Sequence, residues 1–151
     1  MTGRILVAID LRDENTSAKV LETALRQASH ESAPLTVMTV VPDIFAGLDY
    51  HFAVRGQRKA GDEYDIKAIV QNAHNHLDAF VAKHAPRGVE PETVTRHGTI
   101  YEEILNVAEG IGADQIVIGA HRPNLADYLL GPNTARVVHQ AKCSVNVVRS
   151  Q

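Results

Sequence analysis

Residues 114–133 read DQIVIGAHRPNLADYLLGPN, and this stretch decides the architecture of the chain. Gln115 to Ile118 is a short apolar, β-branched run of the kind a buried strand requires, and Gly119 ends it. Gly131, Pro132 and Asn133 then open a helix, since proline is favoured in a first helical turn where its missing N–H costs nothing. A strand that runs through a loop into a helix start is one βα unit. Its backbone amides suit an anion, so the segment from Gly119 to Gly131 is the candidate phosphate loop.

The rest of the chain repeats this unit. Arg4 to Ile9 is a near-continuous apolar run, expected of a strand covered on both faces, with Asp10 at its carboxyl end. Asp13 or Asn15 can cap a helix in which Val20, Leu21, Ala24, Leu25 and Ala28 recur at helical spacing before Ser29 and His30 lose it. Leu35 to Val41 supplies a second strand, stopped by Pro42. Glu63 to His84 carries the apolar stripe Ile66, Ile69, Val70, Ala73, Leu77, Phe80 and Val81. Glu92 to Arg96 is a short third strand, and Gly98 turns the chain. The third helix is patterned by Ile100, Ile104, Leu105, Val107 and Ala108 and ended by Gly110 or Gly112. A last helix with Ala135, Val137, Val138 and Ala141 leads into a fifth strand from Ser144 to Arg149. Strands alternating with helices predict an α/β fold with an open parallel sheet and helices on both faces.

Residues 43–62 show no period. Gly47, Gly56 and Gly61 punctuate a segment holding Phe45, Tyr50, His51 and Phe52, which reads either as a functional lid or as an insertion.

Composition sets limits on function. The 151 residues fit one domain, 1–151, long enough to bury roughly two-thirds of the unfolded surface. With 44% hydrophobic and 22% charged residues and a formal net charge of −3, the chain lacks the basic excess of a nucleic-acid binder or a membrane-surface protein. No apolar run approaches the roughly 18 residues of a spanning helix. The single cysteine, Cys143, excludes an intramolecular disulfide, and a buried inert thiol is its expected state; cytoplasmic localisation is the expectation.

Catalytic patterns are sparse. His74 and His76 are two apart on a helix and point about 200 degrees apart, so they cannot share a metal. His51, His97 and His139 are scattered, and no zinc spacing occurs. There is no Gly-x-Ser-x-Gly elbow and no kinase signature, so an ATP-consuming enzyme is the least supported class.

The residues together resemble the universal stress protein family over essentially the whole length, from Arg4–Asp10 through Thr39–Pro42 and Gly98 to Lys142–Arg149. The segment His121, Arg122, Pro123, then Tyr128 to Gly131 and Asn133, followed by Cys143, Ser144 and Val145, resembles the family's F and G subgroup. The resemblance implies a five-stranded Rossmann-like sheet in the order 3-2-1-4-5, which brings Asp10 beside Gly119. It implies a homodimer through the C-terminal strand, Val145 to Arg149, which would also cover an apolar sheet edge. It implies adenine nucleotide binding, with ATP, ADP and AMP left open. Asp10 would meet the ribose or, through the nucleotide, Mg2+; Ala8 and Ile9 would line the base, and Val40 would offer its backbone.

The phosphate loop departs from the family's nucleotide-binding pattern of Gly, two residues, Gly, nine residues, then Gly with Ser or Thr. Gly119 and Gly131 match the outer glycines, but Arg122 replaces the inner one, eight residues rather than nine separate it from Gly131, and Pro132 takes the hydroxyl position. Proline has neither hydroxyl nor amide hydrogen. Asn133 and Thr134 still offer side chains and amides, and Arg122 is either a bidentate phosphate clamp or a surface arginine. His121 is either a charge sensor or a loop hydrogen-bonding residue. Two functional readings follow: a ligand-responsive nucleotide-binding module, or a non-nucleotide interaction protein with a vestigial cleft.

Overall fold

The computed structural model describes residues 3–42, 66–120 and 131–149. Residues 43–65, residues 121–130 with His121 and Arg122, and the terminal residues lie outside it, and so do the expectations placed on them. The elements run β1 (Ile5–Ala8), α1 (Glu14–Glu31), β2 (Leu35–Pro42), α2 (Ile66–His84), β3 (Glu92–Gly98), α3 (Ile100–Ile111), β4 (Gln115–Gly119), α4 (Pro132–Gln140) and β5 (Ser144–Val148). The sheet is parallel throughout, in the order β3-β2-β1-β4-β5.

Strand alternation explains the two-layer covering. Successive side chains of β1 point to opposite faces. Ile5 and Val7 join Leu21, Ala24, Leu77 and Phe80 beneath α1 and α2, whereas Leu6 and Ala8 join Ile104, Val107, Ile116 and Val137 beneath α3 and α4. A strand buried on both faces has no polar side to offer, which is why Ile5 to Ala8 is apolar at every position. In register, Ala8 lies between Met38 of β2 and Ile118 of β4.

The helix ends follow capping chemistry. Asp13, not Asn15, caps α1: its carboxylate accepts the Thr16 amide at 3.2 Å. The helix also runs past Ser29 and His30 to Glu31, because Ser32 takes the left-handed conformation (φ 54°) and its N–H closes the last turn on the carbonyls of Ala28 and Ser29. That closure is backbone geometry, to which an apolar stripe is blind. Gly110 stays helical, and Gly112, at φ 68°, ends α3. The third strand continues two residues beyond Arg96 because Val41 and Pro42 of β2 still pair with His97 and Gly98.

Candidate functional site: a cavity at the strand carboxyl ends

The strand order reverses between β1 and β4, and in such sheets the reversal opens a crevice at the carboxyl ends. Here it holds a cavity of about 210 Å³. β1 and its turn contribute Ala8, Ile9, Asp10 and Arg12; β2 contributes Thr39 and Val40; β4 contributes Ile118 and Gly119; and the start of α4 contributes Gly131 to Thr134. Nine of the eleven residues singled out in the sequence therefore line one cavity, Ala8, Ile9, Asp10, Val40, Gly119, Gly131, Pro132, Asn133 and Thr134. The other two, His121 and Arg122, belong to the segment outside the described residues.

Gly119 shows why a glycine ends β4. A Cβ built there would lie 3.1 Å from Val20 Cγ2 and 3.5 Å from Thr16 Cγ2, so α1 packs directly on its backbone. Its carbonyl accepts the Thr134 hydroxyl at 2.8 Å, tying the end of β4 to the first turn of α4.

That first turn is the cavity's donor end. Gly131 is the N-cap of α4 and Pro132 its first residue; among the described residues no side chain caps the turn, and it holds no acidic residue. Ala135 donates to the Gly131 carbonyl as the helix's own first bond, so the Asn133 and Thr134 amides stand at the helix start with no helical carbonyl to bond and no partner among the described residues. The side chains are more committed than the sequence indicated. Besides the Thr134 bond, Asn133 Oδ1 accepts the Tyr101 amide at 3.2 Å and so caps α3, whose own N-cap Thr99 makes no side-chain bond.

The opposite rim is built by the β1–α1 turn. Asp10 accepts the Arg12 amide at 2.9 Å and Arg12 Nε at 3.1 Å on Oδ1, and Arg12 Nη2 at 3.4 Å on Oδ2. Ser17 Oγ donates to the Asp10 carbonyl at 2.7 Å and accepts the Asp10 amide at 3.0 Å, which locks the turn to α1. Thr39 Oγ1 donates to the Ile9 carbonyl at 3.0 Å. Arg12, Ser17 and Thr39 were not singled out in the sequence. Thr39 carried a signal, because a hydroxyl in a strand covered on both faces must find a partner. Arg12 carried none, since its reach to Asp10 depends on the turn.

Asp13 and Thr16 also line the cavity, while the histidines and the cysteine considered from the sequence lie elsewhere among the described residues. His74 contacts Thr95 at 2.8 Å and His76 contacts Glu14 at 2.7 Å, two unrelated surface pairs. Cys143 is half-buried rather than buried, and desolvation, followed by the nearby Asp114 charge, raises its thiol pKa. Among the described residues no three His, Cys, Asp or Glu side chains are grouped to hold a metal. No described helix is long and apolar enough to cross a membrane.

Comparison with known proteins bears on the family by sequence and on the fold by structure. The model of the universal stress protein family matches residues 1–149. Universal stress protein G of Shigella flexneri is 36% identical over 153 residues, covering 99% of this chain and 100% of that one. Among solved structures, the universal stress protein UspA from Lactobacillus plantarum superposes with a TM-score of 0.66 at 23% identity, covering 99% of each chain. A universal stress protein in complex with cAMP superposes with a TM-score of 0.61 at 18% identity, covering 100% of each chain.

Proposed function

The chain belongs to the universal stress protein family, and from that premise we propose that its strand-end cavity holds an adenine nucleotide, making the protein a ligand-responsive module rather than a catalyst. The observation that carries this reading is the pairing, within one cavity, of an apolar wall with a helix start whose first turn lacks both a side-chain cap and an acidic residue. Ala8, Ile9, Val40, Ile104 and Ile118 offer the surface a base needs. The amides of Asn133 and Thr134 offer the partial positive charge a phosphate needs. A solved relative by fold is described in complex with cAMP, a ligand of the same class.

Pro132 and the engaged side chains of Asn133 and Thr134 bear on affinity. One amide is missing and two side-chain groups already have protein partners. They favour modest binding, and they are the specific support for a second reading, a non-nucleotide interaction protein with a vestigial cleft. We propose further that two copies pair through β5. It is an edge strand of the sheet, and Val145, Val147 and Val148 are only half-buried in the single chain.

Calorimetric titration with ATP and AMP tests the first reading, supported by mass spectrometry of protein purified without added nucleotide and then denatured. Saturable binding, or AMP or ATP released on denaturation, is the expected result. No binding at millimolar concentration of either nucleotide would leave the interaction-protein reading. Light scattering of the purified chain tests the dimer.

A further inference from the structure

Asp10, the residue expected to meet a metal with the nucleotide, already holds a cation that belongs to the chain. Arg12 donates its amide and Nε to Oδ1 and approaches Oδ2 through Nη2 at 3.4 Å, so both oxygens face one guanidinium. Mg2+ requires oxygen ligands at about 2.0–2.1 Å in near-octahedral geometry and is reluctant to give up water. Reaching Asp10 means displacing the guanidinium and then tolerating a like charge beside it. The other carboxylate on the cavity, Asp13, has Oδ1 engaged with the Thr16 amide as the cap of α1. Among the described residues no further acidic group joins these two to complete a metal site.

We propose that Arg12 takes the place of a divalent cation at Asp10, so that this cavity binds a nucleotide's phosphate as the metal-free anion. The inference rests on the nucleotide reading and deepens it. Arg12 lines the same cavity as the first turn of α4, which places a permanent positive charge in the chamber that holds the orphan amides of Asn133 and Thr134. A guanidinium fork suits phosphate as well as carboxylate. It also supplies what the loop lost when Pro132 removed an amide. The pair is not there for stability: the side chains of Arg12 and Asp10 are 30% and 46% exposed, and ion pairs this exposed contribute little to folding. Replacing Arg12 therefore leaves a folded chain on which binding can be read.

The test is calorimetric titration of ATP into the full chain in EDTA and in excess Mg2+, with circular dichroism confirming the fold of each variant. The wild-type protein is expected to bind ATP in EDTA at least as tightly as in Mg2+. Arg12→Ala is expected to weaken binding in EDTA about tenfold, the loss of one charge-assisted contact. Excess Mg2+ should then recover most of that loss, because Asp10 is released to the metal. Adding Asp10→Asn to Arg12→Ala should abolish the recovery. A wild-type protein that binds ATP only with Mg2+ overturns the inference while keeping the nucleotide reading, and so does an Arg12→Ala protein indistinguishable from wild type in both buffers. Absence of ATP binding by the wild type in either buffer overturns the nucleotide reading itself, and this inference with it.

Discussion

Helices α1 and α4 both start on the cavity, α1 with its cap Asp13, α4 with Gly131 and Pro132. The positive end of the α1 dipole is answered internally: Asp13 bonds the Thr16 amide, and Glu14 adds a second negative charge in the first turn. The positive end of α4 receives no such answer among the described residues, since its cap is a glycine and its first turn has no acidic side chain. One cavity thus meets one helix start answered by its own acidic side chains and another whose first turn carries none. In the nucleotide reading proposed above, that leaves the first turn of α4 and the Arg12 guanidinium, rather than the Asp13 carboxylate, as the places for phosphate. Gly119 stands between the two, with Val20 of α1 where its side chain would begin and its carbonyl accepting the Thr134 hydroxyl of α4.

The largest change comes from driving the two starts apart. Gly119→Val places branched carbon where Val20 Cγ2 would be 3.1 Å from even a bare Cβ, and overpacking of that kind costs about 2–3 kcal/mol. Urea unfolding should show that loss, and adding Val20→Ala should return part of it; a variant as stable as wild type would mean that α1 does not rest on β4. Next, Thr134→Val removes the hydroxyl that reaches the Gly119 carbonyl and should cost about 1–2 kcal/mol, because the carbonyl loses its side-chain partner in a largely buried place. The same measurement reads it, and an unchanged midpoint would show the tie to be decorative.

Asp13→Ala unmakes the asymmetry from the other side. Loss of the cap should cost about 1 kcal/mol while ATP binding tightens, since a negative charge leaves the cavity. Weakened binding would mean that Asp13 serves the ligand directly. Smallest is Pro132→Ser, which returns an amide and a hydroxyl to the first turn of α4. Stability should fall by about 0.5 kcal/mol as the unfolded chain regains freedom, and ATP affinity should rise about threefold. Calorimetry that finds no gain would mean that Pro132 does not limit phosphate affinity.

The chemistry legible in the residues and the chemistry added by folding divide along the same turns. Pattern alone located every strand and helix among the described residues, because each buries an apolar stripe or run whose period is set by backbone geometry. It misjudged ends where backbone or pairing decides, as at Ser32, which closes α1 three residues beyond its last apolar position, and at Gly98, which still pairs with Pro42. At the site, Asp10, Gly119 and Gly131 stood out because strand ends and helix starts carry them. The commitment of Asn133 to the Tyr101 amide, across 32 residues of chain, did not, since no local pattern says that α3 lacks a cap of its own.

Local sequence was enough for the parallel α/β fold and for Asp10, Gly119 and Gly131 at the crevice, because periodicity, strand-end residues and helix-start residues are properties of neighbouring positions; the family, and with it Ala8, Ile9 and Val40 as cavity residues, came from a resemblance spread over the whole chain. Three things needed the folded chain: the adjacency of β1 and β4 as an observed fact, the pairing of Arg12 with Asp10, and the use of Asn133 and Thr134 as structural ties. Each depends on where side chains meet in space, and burial, which makes an unpaired polar group costly, exists only after the sheet has closed over them.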